Sequence, residues 1–199
     1  MLKDTYWKKN KELAKELELK KQIALLKNEL LKKEKEVKQL TRVDFVTKAY
    51  NRKTIFRKLE KEFARAQRYK LDFSIIIIDI ACPKSDDDAL GITSNALLKD
   101  TILRDVASEI NQLIRFIDIL GKYQDNEFLV IFPETELKDA KVISQRILEK
   151  IGGMPLVERA NISVGLSSFN KESTFNDLLI HTMDKLSLAK KNSKNSLEF

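Results

Sequence analysis

The chain has 199 residues, with 37 Lys and Arg against 30 Asp and Glu, which gives a formal net charge of +7. This length allows one well-buried domain and an accessory element. A single cysteine, Cys82, excludes an intramolecular disulfide framework and favours a reducing compartment. No apolar run is long enough for a transmembrane helix or a signal peptide, so we expect a cytoplasmic protein without membrane insertion.

Residues 1–42 are predicted to form one long helix, because they are rich in Lys, Glu and Leu and contain neither Gly nor Pro. They hold thirteen basic and seven acidic residues, and therefore most of the net positive charge. No aromatic side chain lies between Lys8 and Lys38, so we interpret the lysines as a solvated face and expect no nucleic-acid partner. Tyr6 and Trp7 are candidates for a contact with another protein.

Apolar residues in this helix follow the alternating steps of four and three that are typical of a coiled-coil seam. Only Lys33 interrupts the pattern. The pattern favours a homodimer through parallel pairing of the helix, with a single helix packed on its own domain as the alternative. The seam residues are Leu19, Ile23, Leu26, Leu30, Val37 and Leu40.

The rest of the chain alternates between helical and strand patterns. Four consecutive isoleucines at 75–78 predict a strand that is buried on both faces. Gln124, Asp125 and Asn126 separate two apolar runs and predict a hairpin turn, since Asp and Asn tolerate positive φ. The order of elements predicts an α/β (α+β) fold in which helices cover a sheet. These elements are a helix over 51–69, a strand over 73–80, a helix over 95–113, a hairpin over 117–132, a helix over 136–151, a turn at 152–155, a strand over 161–168 and a helix over 175–191.

Four dispersed segments of the chain resemble the GGDEF family, the diguanylate cyclases that condense two GTP molecules into cyclic di-GMP. Asp44–Lys53 is similar to the family's opening motif Asp-x-Leu-Thr-Gly-Leu-x-Asn-Arg-Arg, and Phe73–Ile80 to its first strand. Ile162–Gly165 is similar to the late Ser-x-Gly strand. The closing helix motif is matched by Asp184, Ala189, Lys190 and Asn195. The resemblance implies a palm-like nucleotidyl-cyclase sheet flanked by helices in residues 43–199, preceded by the helix or coiled coil of residues 1–42.

The signature of the family, Gly-Gly-Asp/Glu-Glu-Phe, aligns with Gln124, Asp125, Asn126, Glu127 and Phe128, and only the last two match. The family's glycines let a nucleotide approach the backbone closely, whereas Gln124 and Asp125 add side chains. A carboxylate about 4 Å from a phosphate charge would cost roughly 4 kcal/mol at an effective dielectric constant of about 20. The departure argues against ordinary GTP binding.

The resemblance also implies a metal ligand at the end of the first strand, matched by Asp79, and a second at the position of Asn126. An amide oxygen brings no negative charge, so Asp79 is the one remaining candidate and we predict neither a bound metal nor another cofactor. Lys190 matches a phosphate-binding lysine. We regard Asp79, Lys190 and the five signature positions as a vestigial active site without catalytic residues.

The guanine-binding region departs from the family as well. Asp87 and Asp100 align with guanine-recognising positions, but the loop from Asp86 to Lys99 is about four residues longer than in the family. The acidic run at 86–88 is either a cation cluster or a solvated turn, and it lacks the ligand spacing of an EF-hand loop. Lys194 stands where the family has an arginine.

Arg115 and Asp118 match the family's RxxD inhibitory site in residue type and in distance from the hairpin. An arginine fork suits the O6 and N7 atoms of guanine, and a carboxylate can accept hydrogen bonds from its N1 and N2 groups. The resemblance therefore implies a cyclic di-GMP site. The alternative is a local ion pair, worth under about 1 kcal/mol if exposed.

The sequence is thus identified as a catalytically inactive GGDEF-like signalling or adaptor protein. In one hypothesis it binds cyclic di-GMP through Arg115 and Asp118 and passes this state to a protein partner. In a second it is a nucleotide-independent scaffold for dimerisation or docking. A third hypothesis retains weak cyclase or GTP-binding activity through Asp79, Glu127 and Lys190.

Overall fold

The computed structural model describes residues 2–81, 92–157, 160–171, 174–192 and 195–199. Contacts along the chain separate two compact units, Met1–Thr41 and Arg42–Phe199. Cys82, the acidic run at 86–88 and Lys194 lie outside the described residues. Within the described part of the chain, no helix is long and apolar enough to cross a bilayer.

The first unit is a single helix, α1 (Leu2–Leu40), of 39 residues. The leucine, isoleucine and valine side chains described in this helix, between Leu17 and Val37, are exposed by about half or more, both in the predicted seam, as at Leu26 (64%), and outside it, as at Leu25 (66%). The side chains of Tyr6 and Trp7 are not among those described. The pairing of this helix stays a prediction.

The second unit is a five-stranded sheet with helices on both faces, which confirms the predicted fold class. The strands lie in the order β2-β3-β1-β4-β5. All neighbouring pairs are antiparallel except β4 and β5, which are parallel. In chain order the elements are α2 (Arg52–Tyr69), β1 (Phe73–Ala81), α3 (Ile92–Leu113), β2 (Ile119–Gln124), β3 (Glu127–Pro133), α4 (Leu137–Gly152), β4 (Asn161–Ser168), α5 (Phe175–Lys191) and β5 (Ser196–Glu198).

The isoleucine run forms the central strand, β1, and is buried on both faces as predicted. Side chains alternate between the two faces of a strand. Ile76 and Ile78 therefore contribute to one core with residues of α3 and α4, whereas Ile75 and Ile77 contribute to the other core with residues of α2 and α5. The central strand thus holds both layers of helices on one rigid element.

Gly165 of β4 allows helix α5 to approach the sheet closely. A Cβ atom at this position would lie 2.4 Å from the backbone nitrogen of Leu186 and 2.4 Å from the backbone oxygen of Thr182. Both atoms belong to helix backbone, so a side chain here would require the helix to move. This gives a steric reason for the glycine in the late Ser-x-Gly strand.

Asn195 connects the end of α5 to β4. Its side-chain Oδ1 accepts a hydrogen bond from the Ile162 backbone at 3.1 Å, and its own N–H donates to Oδ1 of Asn161 at 2.9 Å. Its φ is +58°, a left-handed conformation that asparagine tolerates better than most residues. The three-residue strand β5 follows directly and was not predicted.

The hairpin turn differs from the expected conformation. Neither Asp125 nor Asn126 has a positive φ. Among the described non-glycine residues, positive φ values occur only outside this turn. The strands instead shift register between Lys122 and Gln124, so that β2 has an irregularity just before the turn. Such a bulge supplies additional twist, and the turn needs no left-handed residue.

The two edges of the sheet are formed by β2 and β5. Tyr50 lies along the outer side of β2, where its N–H donates to the Leu120 carbonyl at 3.1 Å and its carbonyl accepts from the Lys122 N–H at 2.7 Å. The segment before α2 thus adds one bridge to the edge strand.

Candidate functional site

Two carboxylates and one ammonium meet where β1, β3 and α5 come together. Asp79, near the end of β1, is paired in register with Glu127, the first residue of β3. Lys190, in the last turn of α5, places its Nζ atom 3.1 Å from Oδ1 of Asp79 and 3.1 Å from Oε1 of Glu127. The structure therefore brings together three residues of the predicted vestigial site.

The cluster lies mostly out of solvent, and its charges stabilise one another. The side chains of Asp79 and Glu127 are 15% and 12% exposed, and that of Lys190 is 40% exposed. Burial by itself lowers the pKa of Lys190, but its hydrogen bonds to Glu127 and Asp79 outweigh that effect and the pKa is raised. Lys190 is therefore a permanent cation at neutral pH.

Two side-chain oxygen atoms, one in the first residue of β3 and one in the residue before it, are buried without a hydrogen-bond partner. They are Oε2 of Glu127 and the side-chain Oδ1 of Asn126. The backbone carbonyl of Asn126, by contrast, accepts a hydrogen bond from the Ile80 N–H at 3.0 Å. Lys190 therefore satisfies only part of the acceptor capacity at this end of β3.

Gln124 and Asp125 belong to a separate feature, an open cavity of about 520 Å³. The cavity is lined by three regions that are distant in sequence: the segment before α2 with the first residue of that helix, the middle of α3 and the hairpin. Its charged lining is balanced, with Asp44, Arg52, Lys99, Asp100, Lys122 and Asp125. Asp125 is exposed, so solvent screens its charge, and the estimated repulsion of about 4 kcal/mol is an upper bound here.

Some residues of this region were missed by sequence reasoning. Arg52, Lys122 and Tyr123 line the cavity, but none of them was predicted as a site residue. Arg52 lies in the segment that resembles the family's opening motif, whereas Lys122 and Tyr123 lie in no quoted motif. Burial is the main cause that raises the pKa of Tyr123, followed by the charge of Glu127. Phe128, in contrast, is fully buried in the core, where the Nζ atom of Lys122 lies 4.6 Å from its ring centroid.

Arg115 and Asp118 form a compact turn between α3 and β2. The Asp118 carboxylate is fully buried and accepts a hydrogen bond from the Arg115 backbone N–H at 2.7 Å and from its guanidinium Nη2 at 3.2 Å. The same Nη2 atom donates to the Thr135 hydroxyl at 2.6 Å and to the Pro133 carbonyl at 3.3 Å. Asp118 and Thr135 thus position a guanidinium group whose side chain is half exposed, and sequence reasoning missed Thr135.

The RxxD turn and the carboxylate–lysine cluster lie at opposite ends of β3. Arg115 contacts Pro133, the last residue of this strand, and Glu127 is its first residue. Six residue steps along a strand span about 20 Å. The two features are therefore separate sites.

A comparison with models of protein families identifies the family to which this fold and its carboxylate–lysine cluster belong. The model of the diguanylate cyclase GGDEF domain matches residues 41–196. The chain belongs to the GGDEF family. Among curated relatives, the response regulator PleD of Caulobacter vibrioides is 30% identical over 154 residues, which cover 74% of this chain and 33% of PleD. The chain thus spans about a third of the length of the curated relatives it matches.

Solved structures of GGDEF proteins have the same fold. Diguanylate cyclase SiaD of Pseudomonas aeruginosa, in complex with its activator SiaC, superposes with a TM-score of 0.70 at 22% identity, over 100% of this chain and 75% of SiaD. The coiled coil and GGDEF domain of DgcB of Caulobacter crescentus, in complex with c-di-GMP, gives a TM-score of 0.69 at 18% identity, over 90% of this chain and 98% of DgcB.

The residues that match the family's metal-binding positions offer a divalent ion less negative charge than the family's motif does, because Asn126 stands at one of them. Asp79 would supply a carboxylate oxygen to such an ion, and in this structure it contacts the Lys190 ammonium group. Within the described ranges, no group of three or more His, Cys, Asp or Glu side chains could hold a metal ion.

Proposed function

We propose that this GGDEF domain is catalytically inactive and serves as a signalling or adaptor module. The observation that carries the proposal is the loss of three of the five signature residues, since Gln124, Asp125 and Asn126 stand where the family has Gly-Gly-Asp/Glu. A phosphoryl-transfer site of this kind needs metal ions to neutralise triphosphate charge, and of the two positions that match the family's metal ligands only Asp79 has a carboxylate.

The proposed ligand is cyclic di-GMP, and the proposed site is the RxxD turn. Arg115 is held by Asp118 and Thr135 so that its guanidinium is pre-positioned, which reduces the entropy lost on binding. The side chain is 50% exposed and can reach a ligand from solvent. Support also comes from the DgcB structure, in which a related coiled coil and GGDEF domain is in complex with c-di-GMP.

We further propose that the module acts through protein contacts. In this proposal residues 1–42 form a homodimer, and residues 43–199 are the GGDEF domain. The exposed apolar side chains of α1 support a helical partner for this element. SiaD, which shares the fold, is in complex with an activator protein, and this supports an unidentified protein partner here.

A scaffold that binds no nucleotide is the second candidate. It is favoured by the internal hydrogen bonds of Arg115, because a ligand must compete with Asp118, Thr135 and Pro133 for the same guanidinium. Titration with cyclic di-GMP separates the two candidates.

Purified protein incubated with GTP and either Mg²⁺ or Mn²⁺ is expected to form no cyclic di-GMP. The reason is that Asn126 supplies no charge and that Gln124 and Asp125 replace both signature glycines. Chromatography of the nucleotides is the measurement, with an active diguanylate cyclase assayed in parallel. Restoring Gly-Gly-Asp at positions 124–126 alone is not expected to give activity, since the altered guanine loop remains.

Turnover by the wild-type protein that disappears in Asp79→Ala would contradict the proposed inactivity. Such a result would favour the hypothesis of a weak cyclase acting through Asp79, Glu127 and Lys190. Turnover that survives Asp79→Ala would instead indicate a contaminating enzyme.

The full chain is expected to dimerise more strongly than a truncated protein that begins at Val43. Burial of the exposed seam of α1 in a coiled coil removes apolar surface from water, at about 25 cal/mol per Å². Sedimentation at concentrations on the order of tens of micromolar measures the difference.

A matched pair of variants tests whether the seam itself is responsible. Leu26→Glu combined with Leu30→Glu places charges in the seam and is expected to give monomers. Leu25→Glu combined with Leu31→Glu changes residues of similar exposure outside the seam and is expected to leave the dimer intact. If the full chain is monomeric under these conditions, the interpretation as a single helix is favoured instead.

A further inference from the structure

The charges of residues 43–199 are distributed unevenly, because helix α2 holds the positive excess. This helix has seven basic and two acidic residues, whereas the remainder of residues 43–199 has 17 basic and 21 acidic residues. A strongly basic helix therefore lies on a domain that is otherwise slightly acidic. Such a segregation of charge creates a local positive potential, which a uniformly mixed surface does not have.

The exposed basic residues of α2 lie along one side of the helix. Positions 53, 57 and 61 are each four residues apart, so each follows the last by about 6 Å along the axis and about 40° around it. Position 68 follows about two turns later, at nearly the same angle as position 61. We call these four exposed residues the basic stripe: Lys53, Arg57, Lys61 and Arg68.

The basic stripe is not balanced by carboxylates of its own helix. Its first three residues form no ion pair within the part of the chain that the structure describes. Of the two acidic residues of α2, Glu62 is buried and pairs with Arg65 at 3.0 Å, so only Glu60 is exposed. Like charges four residues apart on a helix repel each other. The stripe thus has an unfavourable arrangement that an external anion would relieve.

The start of α2 adds to this positive potential. Its first turn contains Arg52 and Lys53 and no acidic residue. The N-terminal end of a helix carries a partial positive charge from the helix dipole and is stabilised by anions, not by cations. Both the dipole and the side chains therefore favour a negatively charged partner at this end of the stripe.

We propose that the basic stripe is a peripheral docking surface for anionic phospholipid headgroups. The stripe extends over about 22 Å along the helix, so a flat array of phosphate groups can meet several of its side chains at once. Each Lys or Arg held near such a surface contributes about fivefold in affinity. The inference goes beyond the proposed signalling role, and it depends neither on the RxxD turn nor on the loss of catalysis.

Other anionic partners fit the stripe less well. A tight protein interface needs a large apolar or aromatic anchor, and the exposed positions between Lys53 and Arg68 include no apolar residue larger than Ala64. Single-stranded nucleic acid needs aromatic rings on which bases stack, and the half-buried ring of Phe56 already stacks on Tyr123 at 5.5 Å. Headgroups require charge alone. Because the apolar side of α2 is buried in the domain, the contact involves no insertion into the acyl chains.

The test is sedimentation of the full chain with vesicles of phosphatidylcholine and phosphatidylglycerol, at an ionic strength of about 0.1 M, where charges interact over about 10 Å. A stripe variant that combines Lys53→Gln, Arg57→Gln and Lys61→Gln is expected to bind about a hundredfold more weakly than wild type. Glutamine has nearly the same helix propensity as lysine and arginine, and the repulsion along α2 is removed, so this variant is expected to melt no lower than wild type.

The matched control removes the same charge from exposed positions on three other helices. It combines Arg104→Gln, Lys150→Gln and Lys191→Gln, and its affinity for the vesicles is expected to stay within a few-fold of wild type. The basic helix α1 is present in both variants, so its own attraction to the vesicles is common to the comparison. Glu60→Gln removes the one exposed carboxylate of α2 and is expected to raise the affinity about fivefold.

Equal affinities of the stripe variant and the matched control would overturn the proposal, as would equal binding of wild type to vesicles of phosphatidylcholine alone. The same variants are titrated with single-stranded DNA of mixed sequence. A larger loss on DNA than on the vesicles would show that the stripe is a nucleic-acid surface, which would also overturn the proposal. If the stripe variant melts below wild type, Glu60→Gln decides the question, and the absence of a gain in that variant rejects the lipid surface.

Discussion

Replacing Arg115 with alanine is expected to weaken the binding of cyclic di-GMP about a hundredfold, because two charge-assisted hydrogen bonds worth roughly 3 kcal/mol together are lost. Calorimetric titration of the full chain measures the change. Arg115→Lys keeps the charge but not the planar fork, so an intermediate loss is expected. Asp118→Ala should act in the same direction, because the buried carboxylate holds both the backbone and the guanidinium of Arg115.

The matched control for this experiment is Arg57→Ala, which removes an exposed arginine from α2. It is expected to leave the affinity unchanged, so that a general loss of positive charge is separated from the loss of the fork. Wild-type protein that gives neither heat nor a thermal shift with cyclic di-GMP on the order of 100 µM would reject the receptor hypothesis. Arg115 would then be a structural link between the turn and β3, and the scaffold would be the better interpretation.

Gly165→Ala is expected to lower the free energy of unfolding by about 3 kcal/mol, the upper part of the usual range for overpacking. The new Cβ atom would lie 2.4 Å from two backbone atoms of α5, which cannot rotate away as a flexible side chain would. Denaturation by urea, followed by the circular dichroism of the helices, measures the change. Movement of α5 would also shift Lys190 relative to Asp79, which couples this glycine to the carboxylate–lysine cluster.

Gly153→Ala is the matched control, because the nearest atom to its new Cβ would be the Glu149 backbone oxygen at an ordinary 3.5 Å. Its φ of −85° is accessible to any residue, so the substitution is expected to be neutral or slightly stabilising. Equal denaturation midpoints for the two alanine variants would show that the close approach of α5 to Gly165 is relaxed in solution.

The parts of the fold that were predictable from the sequence are those with a strong local pattern. Four consecutive isoleucines predicted the central strand and its burial on both faces. The limits of β4 and the first residue of α5 were also predicted correctly. The strand β5 was not, since three residues are too few to show a period of two.

The contacts of the candidate site were less accessible to sequence reasoning. The resemblance identified Asp79, Glu127 and Lys190 as positions of one site. Only the register of β1 with β3 and the approach of α5 place Lys190 Nζ 3.1 Å from an oxygen of each carboxylate. Thr135 lies 20 residues after Arg115 and has no motif of its own. Such contacts depend on how elements pack together, which local patterns do not specify.

The edges of the sheet, one bridged by Tyr50 and the other only three residues long, bear on how this protein behaves at high concentration. An exposed edge strand is a template on which further copies can add and aggregate. Here Tyr50 occupies hydrogen-bonding groups of β2 at Leu120 and Lys122, and β5 offers only three residues on the other side. Continuous growth of the sheet from copy to copy at the β2 edge would have to displace Tyr50, so the bridge made by this residue opposes such growth.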